Sequence, residues 1–398
     1  MKKIICFCMS FLFFLNFIIP VTAENNGLQT EKTLLTVNTA LQVEVHAKAC
    51  VLMDVNTGTV LSAKNENEKL YPASVTKIMS LLLVCEAIRD GKLSFDEEIS
   101  CSSTAAAKGG SQIWLEPGET MTVRELLKAT VIYSANDACT LLGEAVAGSE
   151  EAFVDQMNEK AKSLGMTNTH FDNCTGLDDD TDTHLTTAYD IALMSRALLQ
   201  IDFITDYTTV WMDELRDGKT QLVNTNRLIR YYPGATGLKT GTTSKAGCCV
   251  SATAERDGLG LIAVVLGADS SNDRFNGARA LLDYGFANYE IYTPHVDLSA
   301  IENVHVLHGT DKEVGLACEG MTDLLVNKGA GASITQVTEL EPELEAPVAK
   351  GDVLGSVKLL TGGTVIAEYP LTAAFDVGKL TVSKAMLRIF RSIAKENG

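Results

Sequence analysis

Three short motifs hold the residue types that acyl-transfer chemistry needs: Ser74-Val75-Thr76-Lys77, Ser134-Ala135-Asn136 and Lys239-Thr240-Gly241. Each is weak alone, because an S-x-x-K arises by chance on the order of once per few hundred residues. The chain carries decoys for two of them, at Ser392-Ile393-Ala394-Lys395 and Ser270-Ser271-Asn272. Only the first set runs in the order S-x-x-K, S-x-N, K-T-G. In that set the first motif opens a helix, the second falls between helices and the third lies beside a strand.

Residues at i and i+3 share a helix face, so the Lys77 amine can lie against the Ser74 hydroxyl and accept its proton. A lysine is a base only when neutral. Desolvation and a second cation both lower its pKa, and Lys239 is the candidate cation. Ser74 at a helix start also gains from free amides and the positive dipole end. Ser134 is suited to relay a proton to a leaving amine, and the Asn136 amide to hold a peptide bond. Lys239 and Thr240 would bind a terminal carboxylate, and Gly241 would let a substrate backbone approach the strand. The backbone N–H groups of Ser74 and Thr242 are the candidate oxyanion donors.

Those residues need rigid elements to hold them. Val75, Ile78, Met79, Leu82 and Leu83 recur at helical spacing, predicting a helix from Ser74 to about Arg89, with Pro72 before it and Gly91 beyond it. Thr122 to Glu125 reads as a capping box for a helix from Val123 to about Tyr133. Ser134 to Asp137 then makes a loop, followed by helices over Ala138–Ala147, from Ser149 to before Gly165, and over Ala188–Leu199. Upstream, Cys50–Asp54 and Thr59–Ala63 flank the turn residues Asn56-Thr57-Gly58 as a hairpin. Strands are expected over Cys248–Glu255 and Leu261–Leu266, and an amphipathic helix over about Arg274–Tyr289. Short strands follow at Val304–Leu307, Leu324–Asn327, Val353–Leu360 and Val365–Tyr369, the last two closed by Thr361-Gly362-Gly363. The acidic stretch Glu339–Glu345 is read as a solvated loop.

Taken together, these segments resemble the low-molecular-mass penicillin-binding proteins, the serine D-Ala-D-Ala carboxypeptidases. The likeness covers almost the whole chain and rests on Tyr71-Pro72-Ala73-Ser74-Val75-Thr76-Lys77-Ile78-Met79, Tyr133-Ser134-Ala135-Asn136-Asp137-Ala138 and Gly237-Leu238-Lys239-Thr240-Gly241-Thr242-Thr243. It implies an α+β fold, a helical cluster on an antiparallel sheet, followed by a small all-β domain. It also implies acyl-enzyme chemistry on peptidoglycan stem peptides, with β-lactams as covalent inhibitors. Ala135 stands where class A β-lactamases have Asp, and no Glu between Asn136 and Lys239 has Asn four residues on. The helper for deacylation is therefore open, with Asp190 and His184 as the candidates. Transpeptidase or β-lactamase activity, or a wall-binding protein without catalysis, are the competing readings.

Composition fits an exported globular protein. Lys2 and Lys3 precede an apolar run from Ile4 to Ile19 and a small-residue end at Val21-Thr22-Ala23, which predicts a signal peptide over 1–23. The 398 residues are 46% hydrophobic with 8 prolines, enough for more than one domain. A formal charge of -18 argues against a nucleic-acid partner. The eight cysteines beyond the signal peptide form no CxxC framework and read as buried thiols. Asp178 to Asp182 looks like the start of a calcium loop, but Thr183 and Tyr189 stand where Gly and Glu are required, so it reads as a solvated acidic loop. No metal or cofactor is needed. Near the end, Lys384, Arg388, Arg391 and Lys395 alternate with Met386, Leu387, Ile389, Phe390 and Ile393. That is an amphipathic helix suited to a membrane surface and too short to span it. The expected layout is thus a catalytic domain over 24–294, a β-rich domain over 295–378 and an anchor helix over 379–398, at the outer face of the cytoplasmic membrane.

Overall fold

The computed structural model describes residues 40–386. The predicted signal peptide lies outside them, as do the last twelve residues of the predicted anchor helix. At the centre is a five-stranded sheet in the order Val60–Lys64, Ala49–Asp54, Leu259–Ala268, Gly247–Arg256, Ala235–Thr243. Every neighbouring pair is antiparallel. The alternation of a strand's side chains explains its continuous apolar runs. Ala49, Val51 and Met53 enter a core with the Lys77–Arg89 and Ala188–Leu199 helices. Cys50 and Leu52 face the other way, into a core with Phe275, Leu281 and Leu282 of the Ser271–Asn288 helix.

Several helices start where side-chain oxygens satisfy first-turn amides. Thr122 and Glu125 complete the reciprocal capping box, Ser149 accepts from the Ala152 amide and Thr187 from that of Asp190. The decoy Ser270-Ser271-Asn272 is a cap as well, Ser270 accepting from the Asp273 amide. Such local bonds are what a sequence pattern can reveal.

Several boundaries differ from expectation, and the differences cluster around the motifs. Ser74 sits in a 3-10 turn over Ala73–Thr76, and the α-helix proper begins at Lys77. The helix expected to run to Tyr133 is α-helical only over Val123–Lys128, and Ala129–Tyr133 widens into a π turn. The next helix begins at Asn136 rather than Ala138. Lys239-Thr240-Gly241 does not merely precede a strand but lies within the edge strand Ala235–Thr243.

Beyond the long helix the chain is β-rich. Tyr289–Tyr292 pairs with Leu324–Asn327, and Val304–Leu307 lies between Glu313–Val314 and Glu343–Glu345. A four-stranded sheet runs Leu316–Ala317, Thr364–Ala373, Val353–Thr361, Thr335–Leu340. The acidic stretch expected to be a loop is thus largely strand, because Thr335–Leu340 is laddered to its neighbour and Lys358 pairs with Glu339 at 2.8 Å. Its polar composition follows from its place at the sheet edge. All eight described cysteines are free thiols, six of them buried.

Candidate active site

The three motifs meet where the Ala73–Thr76 turn, the π turn and the edge strand converge. Lys77 is fully buried. Its ammonium donates to Ser74 Oγ at 2.9 Å and to the Thr175 carbonyl at 2.8 Å. Burial pulls its pKa down from 10.5 to about 8, and nearby Cys139, Cys174 and Asp137 partly oppose that fall. Lys239 is buried too, its ammonium donating to the Thr240 carbonyl at 3.3 Å. Burial first, then the charge on Lys77, holds its pKa well below the usual lysine range. Desolvation is thus the largest cause at both lysines, and the repulsion between the two ammoniums acts in the same direction, as expected of Lys239 beside Lys77.

Ser134 follows the π turn in a left-handed conformation, with φ 69 and ψ 28. Its hydroxyl is buried without a protein partner. A left-handed backbone at a non-glycine residue, next to a π turn, marks Ser134 as a position shaped by function rather than by local preference. Asn136 is held from behind, its backbone amide donating to the Ser111 carbonyl at 2.7 Å and its side-chain NH2 to the Gly109 carbonyl at 2.6 Å. Its Oδ1 is buried and unpaired. The free group is therefore an acceptor suited to a substrate N–H.

Thr240 donates to Thr225 Oγ1 at 2.7 Å, and Thr242 Oγ1 donates to the Gly241 carbonyl at 2.8 Å. Gly241 also meets a constraint inside the protein. A Cβ there would lie 2.8 Å from the Pro72 carbonyl and from the Ser74 amide nitrogen. The close approach it permits is that of the protein's own nucleophile turn against the strand.

Three parts of the site were missed by sequence reasoning. Arg274 is buried beside the strand, its Nη1 donating to the Gly241 carbonyl at 3.0 Å and to Thr242 Oγ1 at 2.9 Å. The segment Asn173–Leu177 supplies the Thr175 carbonyl, with Asn173 Oδ1 accepting from the Thr175 and Gly176 amides. A Cβ on Gly176 would fall 1.8 Å from the Ala73 carbonyl oxygen. The signal was present in Asn173-Cys174-Thr175-Gly176, the composition of an Asx turn. The acidic loop is solvated as expected at Asp179, Asp180 and Asp182, but it is also tied to the site. Asp178 is buried and accepts from Thr243 Oγ1, while Asp182 pairs with Lys245 at 3.0 Å and accepts from the Tyr71 hydroxyl at 3.2 Å.

Neither candidate helper for deacylation touches Ser74. Asp190 accepts from the Asn168 amide and Thr169 Oγ1, holding the start of its own helix. His184 Nδ1 accepts from the Asp172 amide at 3.0 Å, so its Nε2 carries the proton toward Thr76 Oγ1 at 2.8 Å. Burial lowers its pKa to about 4 and keeps it neutral.

A serine at a turn, a desolvated lysine against it, a strained second serine and an edge strand that carries a second buried lysine define a serine acyl-transfer site of the penicillin-recognising kind. The family model described as D-alanyl-D-alanine carboxypeptidase matches residues 36–270, and that of the penicillin-binding protein 5 C-terminal domain matches 289–379. The chain is 39% identical to the D-alanyl-D-alanine carboxypeptidase DacF of Bacillus subtilis over 95% of both chains. It is 36% identical to DacC of Escherichia coli over 84% of each. Penicillin-binding protein 5 from Haemophilus influenzae superposes with a TM-score of 0.72 at 29% identity, over 85% of this chain and 99% of that one. The chain belongs to the D-alanyl-D-alanine carboxypeptidase family, as a serine-type carboxypeptidase with a C-terminal all-β domain.

Proposed function

We propose that Ser74 is the nucleophile that cleaves the terminal D-Ala-D-Ala bond of peptidoglycan stem peptides. The observation that carries this reading is the 2.9 Å contact between Lys77 Nζ and Ser74 Oγ, made by an amine that burial brings to about 8. Neutral Lys77 takes the Ser74 proton as Oγ bonds to the carbonyl carbon of the penultimate D-alanine. The oxyanion is held by the Ser74 and Thr242 amides. As the C–N bond breaks, the proton passes by way of Ser134 to the amine of the departing D-alanine. Water then adds to the ester and gives its proton back through Lys77, and Ser74 leaves with the acid product released.

Binding follows the same map. Asn136 Oδ1 accepts the substrate N–H, and Lys239, Thr240 and Arg274 receive the terminal carboxylate, whose charge favours protonated Lys239. β-Lactams carry a carboxylate and a strained amide in similar places, and they acylate Ser74. A penicillin-binding protein D2 from Listeria monocytogenes, solved in its ampicillin-bound form, superposes with a TM-score of 0.56 at 32% identity over 61% of this chain, which supports that reading.

The remaining parts of the layout belong to the same proposal. The 1–23 segment exports the chain, the catalytic part extends to about Pro294, and the β-rich part extends to about Gly378. The basic-apolar C-terminal segment rests on the membrane surface; among the described residues no helix is long and apolar enough to cross it. The test is mass spectrometry of the protein with a penicillin and, separately, with a peptide ending in D-Ala-D-Ala, beside Ser74→Ala. A Ser74 adduct together with D-alanine release that the variant lacks is expected. An adduct without release would point to transpeptidation, rapid penicillin turnover to a β-lactamase, and no Ser74 chemistry would overturn the reading.

A further inference from the structure

One large side chain stands apart from the rest of the surface. Trp114 is 75% exposed, the highest value among the exposed indole, phenol and phenyl side chains described. Its backbone is left-handed, with φ 60. A bulky residue pays for that conformation, which persists only where its surroundings over-determine it. Here they do so from both sides. The Ile113 amide donates to Asp137 Oδ1 at 3.2 Å and the Leu115 amide to Asp137 Oδ2 at 3.0 Å. Asp137 is fully buried, and Ile113 and Leu115 are buried apolar anchors. The Ile113 carbonyl also accepts from Arg216 Nη1 at 2.8 Å, and Arg216 pairs with Glu119 at 2.7 Å.

A buried carboxylate, an ion pair and two apolar anchors thus fix the peptide on either side of an indole that contributes nothing to the core. The clamp belongs to the substrate site, because Asp137 follows Asn136 directly and the Asn136 amide donates to Ser111 in the same loop. Trp114 is three residues from Ser111, so it lies within at most about 11 Å of that contact. Residues of the stem peptide just upstream of the D-Ala-D-Ala end come within that reach. A sugar attached at the far end of a pentapeptide lies about 14 Å from the scissile bond when the chain is extended, since four residues separate the two.

We infer that Trp114 is a specificity-determining residue, an aromatic wall that packs against the aliphatic part of the stem peptide upstream of D-Ala-D-Ala. The inference rests on the carboxypeptidase reading of the site and adds the part of the substrate that the three motifs do not touch. An exposed, rigidly held ring offers contact area at little cost in order, and its face attracts the polarised C–H groups of a peptide chain.

Trp114→Gly is the decisive variant, since glycine accepts φ 60 without strain and its melting temperature should not fall. Its kcat/KM for N-acetyl-D-Ala-D-Ala should stay within about twofold of the parent, while that for a pentapeptide ending in D-Ala-D-Ala falls about tenfold, mainly through KM. Trp114→Phe should recover most of the loss. The sequence has 2 tryptophans, so in a Trp211→Phe background the emission of Trp114 should shift on adding the pentapeptide and not the acetyl dipeptide. Equal losses on both substrates would overturn the inference in favour of a loop-positioning role, and no loss on either would overturn it outright. A loss seen only when a disaccharide is attached would move the contact to the glycan and overturn the stem assignment. Absence of D-alanine release by the parent protein from any substrate would instead defeat the carboxypeptidase reading itself.

Discussion

Raising the pH should switch on acylation of Ser74 with a midpoint near 8, because Lys77 can accept the proton only when neutral. With its pKa brought from 10.5 to about 8, about one molecule in ten carries the free amine at pH 7. An unperturbed lysine would supply about one in three thousand. Burial thus raises the competent population roughly 300-fold, equivalent to about 3 kcal/mol. The assay is the second-order rate of penicillin acylation, followed by mass spectrometry between pH 5 and 10. It should rise about tenfold per pH unit below 8 and then level off. Lys77→Arg, which stays charged throughout, should acylate at least about a hundredfold more slowly at every pH.

The same shift has a stability signature whose sign is fixed. Between about 8 and 10.5 the unfolded chain still binds the Lys77 proton while the folded chain does not, so stability rises with pH across that window. Relative to Lys77→Met, the parent should therefore gain up to about 3 kcal/mol from pH 6 to above 10.5, measured by denaturant unfolding. A flat acylation profile, or a midpoint near 10, would refute the assignment of Lys77 as a base made ready by burial.

Other outcomes follow from individual contacts. Gly176→Ala should abolish acylation and destabilise by about 3 kcal/mol or more, since its Cβ would collide with the Ala73 carbonyl at 1.8 Å and φ is 87; thermal unfolding and penicillin labelling check both. Arg274→Gln should erase the preference for a peptide ending in a free carboxylate over its C-terminal amide, a ratio of about 10 to 100 in the parent, read as paired kcat/KM values. Ser134→Ala should slow turnover of the peptide by about a hundredfold or more, while a circular dichroism spectrum like the parent's would exclude misfolding.

The residues that do chemistry were legible because their order along the chain is itself informative, and their local geometry is short-range. The i, i+3 pairing of Ser74 with Lys77, the Thr122–Glu125 box and the hairpin of Cys50–Asp54 with Thr59–Ala63 all depend on neighbours within a few residues. Local bonds leave a local pattern. The π turn that strains Ser134 left none, since Ala129–Tyr133 reads as ordinary helix.

What only the tertiary structure decided are the interactions that join distant segments. The Thr175 carbonyl reaches Lys77 across 98 residues, Asp178 reaches Thr243 across 65 and Arg274 reaches Gly241 across 33. No periodicity records such pairings. The reactivity of Lys77 is of the same kind, because a pKa set by desolvation is a property of everything packed around the amine and not of the four residues that spell its motif.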